Sequence, residues 1–345
     1  MSKVPTPSEE HDELSAPSFA LPLFLGELHE DLLFPFTQLE RSEADKVKGL
    51  IASLHDALAG YDPRAAEERG WVGDDVIAAL GELGLLGLYA PEEYGGQGLS
   101  QTGYCRVMED VGRIDGALSV VLGVHQSIGM KPIVLFGRDE QKQRLLPDLA
   151  AGRKLAGFAL TEPNAGSDAF HMESRAVRQR DGSYVLNGEK RYIGNGSKDI
   201  LVTFAASDQG HVALIVEKGM DGFEVGPRHD TMGLRANDLR PLRFKDVVIP
   251  ADYVLGEPGD GFKIAMHTLN NGRMSLGTGA VGATKRLIDL AINHVQDRRQ
   301  FGQPSPTSSS SKRRFPGWSP ICLGLNPWPT PPPAWSIGEW TITRW

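Results

Sequence analysis

The spacing of apolar residues changes twice along this chain of 345 residues, and each change indicates a different kind of structure. Over residues 34–155 apolar residues recur at helical spacing, whereas over residues 156–258 they alternate with a period of two. From residue 259 to 304 the helical period returns. The sequence therefore predicts a mostly α-helical fold with a β domain in the middle: an N-terminal helical domain, an antiparallel β domain and an incomplete C-terminal helical domain.

Individual segments carry these patterns clearly. Residues 74–90 have helical spacing, and the Pro and Gly residues of 90–100 predict a loop after that helix. Asp-Gly and Asn-Gly turn signals separate the strand-like runs of the middle region. The predicted strands are residues 183–196, 200–207 and 211–219. On the last helix, a buried apolar face is expected from the spacing of Ala283, Leu287, Leu290, Ala291 and Val295.

Composition sets the end of the chain apart. Residues 305–345 hold five of the six tryptophans, eight of the 23 prolines and one of the 44 acidic residues. We interpret them as a disordered or non-native Pro/Trp-rich tail, and residues 1–33 as an N-terminal extension. An abrupt change of composition within a helical pattern is what a reading-frame shift produces. The alternative is that the tail is a proline-rich ligand for aromatic grooves on a partner.

Other features exclude several classes of protein. The cysteines Cys105 and Cys322 lie far apart without metal-ligand or redox spacing, so neither a disulfide framework nor a metal site is predicted. The net charge of −8 argues against a nucleic-acid partner. The first residues lack the pattern of a signal peptide, and we expect no integral membrane segment. A cytoplasmic location is predicted.

Familiar catalytic motifs are missing or misplaced. The one G-x-G-x-x-G, at Gly277–Gly282, lies inside a helical pattern rather than between a strand and a helix, so a dinucleotide fingerprint is rejected. Small residues there instead predict close approach of two helices. We expect His125 to be a packed or hydrogen-bonded residue and not a base, and no serine lies in a hydrolase elbow.

The most informative segment is LAGFALTEPNAGSDA, residues 155–169, in which a strand-like run opens into a loop of small and polar residues. Such a loop can direct backbone N–H groups and the hydroxyls of Thr161 and Ser167 at a flat polar ligand. A simple connecting loop, with Asp168 capping a turn, is an equally good interpretation of these residues alone.

FALTEPNAGSD resembles the flavin-binding signature of the acyl-CoA dehydrogenase family. The resemblance continues in the same order through NGEKRYIGNG (187–196), GDGFKIAMHTLNNGR (259–273) and DRRQFGQP (297–304), and includes YAPEEYGGQG (89–98) upstream. It covers about residues 17–304, and SFALPLFLGEL (18–28) further resembles the very-long-chain branch. The family's order of a helical, a β and a helical domain matches the order predicted from periodicity.

The resemblance implies an oxidoreductase of fatty acid oxidation. Family members use FAD to desaturate the α,β bond of a fatty acyl-CoA thioester and pass the electrons to an electron-transferring flavoprotein. A base removes the α-proton, the β-hydrogen leaves as hydride to the flavin, and hydrogen-bond donors stabilise the enolate-like charge on the thioester oxygen. A homo-oligomer is also implied, because one segment of the family reaches the FAD of a neighbouring subunit.

Site residues follow from the resemblance position by position. The positions that match cofactor contacts are Phe158, Ala159, Leu160, Thr161, Gly166, Ser167, Tyr192, Ile193, Gly194, Arg298, Gln300 and Phe301. The positions that match the substrate side are Ser167, Asn270, Asn271, Gly272 and Arg273. At Gly194 the family has a residue with a hydroxyl, so one hydrogen bond to the flavin, worth on the order of 1 kcal/mol, is missing.

No catalytic base is found. Most of the family carries a Glu in the later part of the C-terminal domain, and a minority carries it at the position of Gly272. The one acidic residue after Pro304 is Glu339, in a segment without resemblance to the base-bearing one. We therefore expect the chain as written to be C-terminally truncated, with little dehydrogenase turnover. The alternatives are a non-catalytic FAD- or acyl-CoA-binding remnant and an acyl-CoA oxidase or flavin monooxygenase of the same fold.

Overall fold

The structure is a computed structural model that describes residues 25–27, 38–300 and 303–304. The elements below belong to one compact unit that begins at Leu39. The predicted tail and most of the predicted N-terminal extension lie outside the described residues. The first part of the unit is helical: α1 Arg41–Ala57, α2 Pro63–Arg69, α3 Asp74–Glu82, α4 Gln101–Ile114, α5 Gly116–Gly123, a π-helix Val124–Met130, α6 Lys131–Phe136 and α7 Asp139–Ala150.

Capping side chains define where these helices begin. Ser100 accepts a hydrogen bond from the Gly103 N–H at the start of α4, and Asp115 accepts one from the Ala117 N–H at the start of α5. The helix predicted over residues 74–90 ends at Glu82. It stops because Gly84 adopts φ +70°, a conformation that breaks the helix and that glycine adopts without steric cost.

The helices α5, π and α6 follow one another without a break and form one segment, Gly116–Phe136. Among the described residues, it is the one segment that is long and apolar enough to span a membrane by length and composition. Of its most apolar window, 67% is buried inside the protein, as is typical of a core helix.

The middle of the chain forms an eight-stranded sheet. Its strands are β1 Ala156–Ala159, β2 Arg175–Arg178, β3 Tyr184–Ile193, β4 Ile200–Ser207, β5 Gly210–Glu217, β6 Phe223–Val225, β7 Arg240–Ile249 and β8 Val254–Gly259. The order is β6-β7-β3-β2-β4-β5-β8, with β1 paired to β4. The predicted antiparallel sheet is in fact mixed, because β1 and β2 both pair with β4 in parallel. Loop-connected strands far apart in sequence can pair in either direction.

The last long element is α8, Gly261–Asp297, followed by the short antiparallel pair β9 Arg299–Gln300 and β10 Gln303–Pro304. The predicted G-x-G-x-x-G segment lies within α8, so its rejection as a dinucleotide motif is confirmed. The expected apolar face was wrong: Leu287 and Leu290 are exposed, and Ala283, Ala291 and Val295 are only partly buried. Mostly small residues form the buried face of the helix instead. The buried residues are Gly261, Ile264, Ala265, Thr268, Ser275, Thr278, Gly279, Val281 and Gly282.

Small residues allow α8 to approach α4 closely, as predicted. A methyl group on Gly112 of α4 would lie 2.7 Å from the Cα atom of Gly279, and one on Gly282 would lie 2.8 Å from the Arg113 nitrogen. A methyl group on Gly282 would also overlap the carbonyl oxygen of Glu109. At Gly112, Gly279 and Gly282 backbone therefore meets backbone, and side chains larger than hydrogen are excluded at these positions.

Gly282→Ala is expected to lower the free energy of unfolding by about 1–3 kcal/mol, because the added methyl group forces the two helices apart. Gly277→Ala, on the same helix, is the matched control: Gly277 is exposed and nothing lies within 4 Å of an added methyl group. There we expect stabilisation of about 0.5–1 kcal/mol from helix propensity. Urea unfolding of both variants measures the difference, and equal effects would contradict close packing of α4 and α8.

Candidate functional site

Strand β1 places the first site residues at the junction of the helices with the sheet. Because successive side chains of a strand point to opposite faces, Phe158 lies with the core cluster beneath the helices, whereas Ala159 belongs to the cluster on the other face of the sheet. Leu160 and Thr161 follow directly where the strand ends. Phe158, Leu160 and Thr161 line a cleft of about 560 Å³.

A buried ion pair holds the loop that follows β1. The Lys190 ammonium lies 2.7 Å from Glu162 Oε1, and both side chains are at most 1% exposed. Lys190 Nζ also donates to the Leu160 carbonyl at 3.0 Å, and the backbone N–H groups of Glu173 and Ser174 donate to the Glu162 carboxylate. The contacts of Leu160 and Glu162 therefore fix the backbone on both sides of Thr161.

Lys190 and Glu162 both stay charged although they are buried. Desolvation lowers the pKa of Lys190 to about 8, and the carboxylate of Glu162 opposes that shift, so the amine stays protonated at neutral pH. Burial by itself raises the pKa of Glu162, but Lys190 and the donating N–H groups outweigh it and hold this pKa below its ordinary value. The loop is anchored by a charged pair and not by a neutral one.

The end of β3 supplies the second group of site residues. Its pairing with β7 is irregular between Lys190 and Ile193, and Tyr192 adopts φ +58°. This positive φ is unusual for a residue with a side chain, and it turns the tyrosine out of the regular strand. The Arg191 N–H donates to the Thr161 carbonyl at 2.8 Å. The two loops are thus joined, and Tyr192, Ile193 and Gly194 line the same cleft as Thr161.

Helices form the opposite wall. The π-helix contributes Val124 and Ile128, and α8 contributes four residues at intervals of four, three and four positions, which places them on one face of the helix. Those four are Phe262, Met266, Leu269 and Arg273. Except for Arg273, none of these wall residues was predicted, although the spacing along α8 is a signal that sequence reasoning could have used.

The cleft is mostly apolar with a few polar groups. Among the described residues that line it, Arg273 is the only cationic side chain and Asp168 the only carboxylate. The Asp168 side chain is 67% exposed and lies 2.7 Å from His171 Nδ1. Gly166 and Ser167 are exposed on the same rim. An apolar cavity with a small number of placed polar groups is typical of a cofactor or substrate site.

Other predicted site residues lie outside the lining of the cleft. Asn270 accepts a hydrogen bond from the Arg273 guanidinium, and Asn271 Nδ2 donates to the His267 carbonyl at 3.0 Å. A methyl group on Gly272 would lie 2.7 Å from Ile128 Cγ2, so this glycine packs α8 against the π-helix. Arg298 and Gln300 are exposed just beyond α8. Phe301 lies outside the described residues.

His125 lies beneath the cleft, on the π-helix, and is completely buried. The Ala156 N–H donates to its Nδ1 at 3.0 Å, so its Nε2 carries the proton and donates to the Leu149 carbonyl at 3.1 Å. Desolvation lowers the pKa of His125 to about 4, which keeps the ring neutral. Its prediction as a hydrogen-bonded core residue is confirmed.

Among the described residues, no cluster of three or more His, Cys, Asp or Glu side chains is placed to hold a metal ion.

The fold and this cleft define a class of protein: a helical domain, a β domain and a helix of a third domain, with a mostly apolar cleft where they meet. Three family models match in that order: the acyl-CoA dehydrogenase N-terminal domain at residues 53–153, the middle domain at 157–247 and the C-terminal domain at 259–315. The third match continues past Pro304, where the resemblance was expected to end.

Solved structures and curated relatives agree with these matches. The butyryl-CoA dehydrogenase of Megasphaera elsdenii is 33% identical with a TM-score of 0.78, over 84% of this chain and 77% of that one. The FAD-complexed acyl-CoA dehydrogenase of Bacillus anthracis is 34% identical with a TM-score of 0.75, over 82% of this chain and 50% of that one. The chain belongs to the acyl-CoA dehydrogenase family.

The human mitochondrial very long-chain specific acyl-CoA dehydrogenase is 39% identical over 306 residues, which cover 83% of this chain and 46% of that protein. The chain thus spans about half the length of the curated relatives it matches first. The likeness to a mitochondrial protein gives no support to the predicted cytoplasmic location, which stays a prediction.

Proposed function

We propose that the cleft binds FAD and a fatty acyl-CoA thioester, and that the activity for which this fold is built is α,β-desaturation of the acyl chain. One observation carries the proposal: segments far apart in the sequence, Phe158–Ser167 and Tyr192–Gly194, converge with Arg273 of α8 on a single cleft. Those are the segments in which the sequence resembles the flavin and substrate sites of the family.

The residues present fit a flavin. A flavin ring is flat and aromatic with polar edges, and the cleft offers the flat rings of Phe158 and Tyr192 together with the hydroxyls of Thr161 and Ser167. The Tyr192 ring is 52% exposed and is supported from behind by the His229 ring at 4.8 Å between centroids. When bound, FAD supplies the acceptor for the hydride equivalent.

The chain's own residues have separate tasks in this proposal. Phe158, Leu160 and Ile193 exclude water from the inner part of the cleft, because all three are buried apolar side chains. Thr161 orients the cofactor through a backbone position that Lys190 and Arg191 hold in place. Arg273, on the helical wall, presents a cation to the anionic CoA side of the substrate.

Proton abstraction is the step for which the described cleft has no group. Its only carboxylate, Asp168, lies on the exposed rim beside His171, and position 272 is glycine. We therefore expect the purified chain to bind FAD and to reduce an electron acceptor with long-chain acyl-CoA at no measurable rate. Sustained acyl-CoA-dependent reduction of the acceptor would contradict this expectation.

The test of cofactor binding is a titration of the FAD-free purified chain with FAD, followed by the absorbance of the bound flavin. Thr161→Val is expected to weaken FAD binding about tenfold, because one hydrogen bond of the cofactor is lost. Thr284→Val is the matched control, since the Thr284 hydroxyl bonds within α8, away from the cleft. If the wild-type chain binds no FAD, the proposed function is wrong.

The partners of the protein belong to the same proposal. We propose an electron-transferring flavoprotein as the physiological acceptor and a homo-oligomer as the assembled state. The exposed position of Arg298 and Gln300 beyond α8 supports the second part, because these side chains are available to a neighbouring subunit. A guanidinium such as that of Arg298 offers a planar pair of donors to a pyrophosphate.

A further inference from the structure

The loop before β7 places a polar side chain in the cleft that no motif of the sequence indicated. Asn237 lines the cleft, and its amide oxygen Oδ1 is buried without a hydrogen-bond partner among the described residues. The large majority of buried side-chain polar atoms in proteins are hydrogen-bonded. An unpartnered acceptor in the wall of a ligand cleft therefore indicates that a bound molecule supplies the donor.

Gly194 lies close to this buried oxygen. A methyl group built on Gly194 would lie 3.5 Å from Asn237 Oδ1 and 3.2 Å from Val124 Cγ2. Any longer side chain at position 194 would therefore compete with a ligand for the space in front of the amide. The glycine that lacks the expected hydroxyl thus lies directly beside Asn237, a second polar residue that lines the same cleft.

The backbone around Asn237 is anchored, which limits the positions that its side chain can take. The Asn237 N–H donates to the Leu234 carbonyl at 3.0 Å. The next residue, Asp238, accepts hydrogen bonds from the Ser197 hydroxyl and from Arg240 Nε, both at 2.6 Å. Preorganised polar groups lose little conformational entropy when they bind.

An amide oxygen is only an acceptor, so the ligand atom beside it must carry a hydrogen. A flavin ring has an N–H at N3 in both the oxidised and the reduced form, and gains a second at N5 on reduction. We propose that Asn237 is a further cofactor-binding residue whose Oδ1 accepts a hydrogen bond from a flavin ring N–H. This inference rests on the proposed function, because it assumes that FAD occupies the cleft.

The experiment compares the wild-type chain, Asn237→Ala and the matched control Asn293→Ala, whose exposed side chain lies on α8 outside the cleft. For each protein we would measure the dissociation constant of FAD and the midpoint potential of the bound flavin. If the alanine variant does not fold, Asn237→Leu retains the side-chain volume without a hydrogen-bonding atom and takes its place.

Two results support the assignment and identify the donor. A bond to N3 weakens FAD binding about tenfold without a change in potential, because both redox forms lose it. A bond to N5 is lost from the reduced form alone, and a tenfold selective loss lowers the potential by about 30 mV. Asn293→Ala is expected to change neither quantity.

Two other results overturn it. If the wild-type chain binds FAD while Asn237→Ala matches it in affinity and potential, the assignment of Asn237 is wrong and the proposed function stands. If the wild-type chain binds no FAD, both fail together. The two failures are distinguished by the wild-type titration alone.

Discussion

Replacing Lys190 by methionine is expected to lower the free energy of unfolding by about 3–5 kcal/mol, because Glu162 would be left as a buried charge without its partner. The two charged atoms lie 2.7 Å apart, and neither side chain is more than 1% exposed. Water cannot replace the lost ammonium at such a site. Because Lys190 also binds the Leu160 carbonyl, the variant should bind FAD more weakly as well.

An exposed ion pair between Glu189, the neighbour of Lys190 on β3, and Arg243 of β7 provides the control. Glu189 lies 2.8 Å from Arg243, but the side chains are 52% and 62% exposed. Arg243→Met is expected to cost less than about 1 kcal/mol, because solvent screens an exposed pair. Urea unfolding measures both variants. The double variant Lys190→Met with Glu162→Gln should recover part of the loss, since no unpaired charge remains, and a loss equal to that of the single variant would contradict the ion-pair explanation.

Acidification is expected to destabilise the protein through His125. Burial lowers the pKa of this residue from 6.5 to about 4, so the unfolded chain takes up a proton near pH 6.5 while the folded chain does not. Stability is therefore unaffected by this group above pH 6.5, falls as the pH drops from 6.5 towards 4, and falls no further below that. The total loss from this residue is about 3 kcal/mol.

The slope of unfolding free energy against pH isolates this contribution. Carboxylates titrate in the same range, so the informative quantity is the difference between wild-type protein and His125→Gln. We expect a shallower fall between pH 6.5 and 4 in the variant, although it is less stable at neutral pH because the bonds to Leu149 and Ala156 are disturbed. His294→Gln, at an exposed position on α8, is the control. Equal slopes for wild type and His125→Gln would show that His125 is not protected from protonation.

Local sequence signals were sufficient for the strand ends near the cleft, whereas the assignment of Thr161 and Tyr192 to a ligand site came from the family resemblance. The run ending at Thr161 and the turn residues at Asn195 and Gly196 marked the ends of β1 and β3, and both ends lie at the cleft. Strand ends can be read from sequence because alternation and turn chemistry act over a few neighbouring residues. The roles of these residues toward FAD stay predictions.

Local sequence signals did not predict the contacts between residues that are far apart in the chain. The pairing of Lys190 with Glu162 joins positions 28 residues apart, and nothing in the local pattern of either segment requires it. The same holds for Asn237, which reaches the cleft from the loop before β7. Which side of a strand or loop is buried also depends on the partner element, as the exposed Leu287 and Leu290 demonstrate.

The sequence by itself determined the order of a helical, a β and a helical region, and the turns between several of the strands. These properties arise from interactions within a turn or two of the chain, so a single sequence contains them. Only the tertiary structure decided the parallel pairing of β1 and β2 with β4, the identity of α4 as the helix that α8 approaches closely, and the position of Asn237 at the same cleft as Thr161 and Gly194. Those arrangements depend on long-range packing, in which each surface is buried by whichever distant surface complements it in shape and charge.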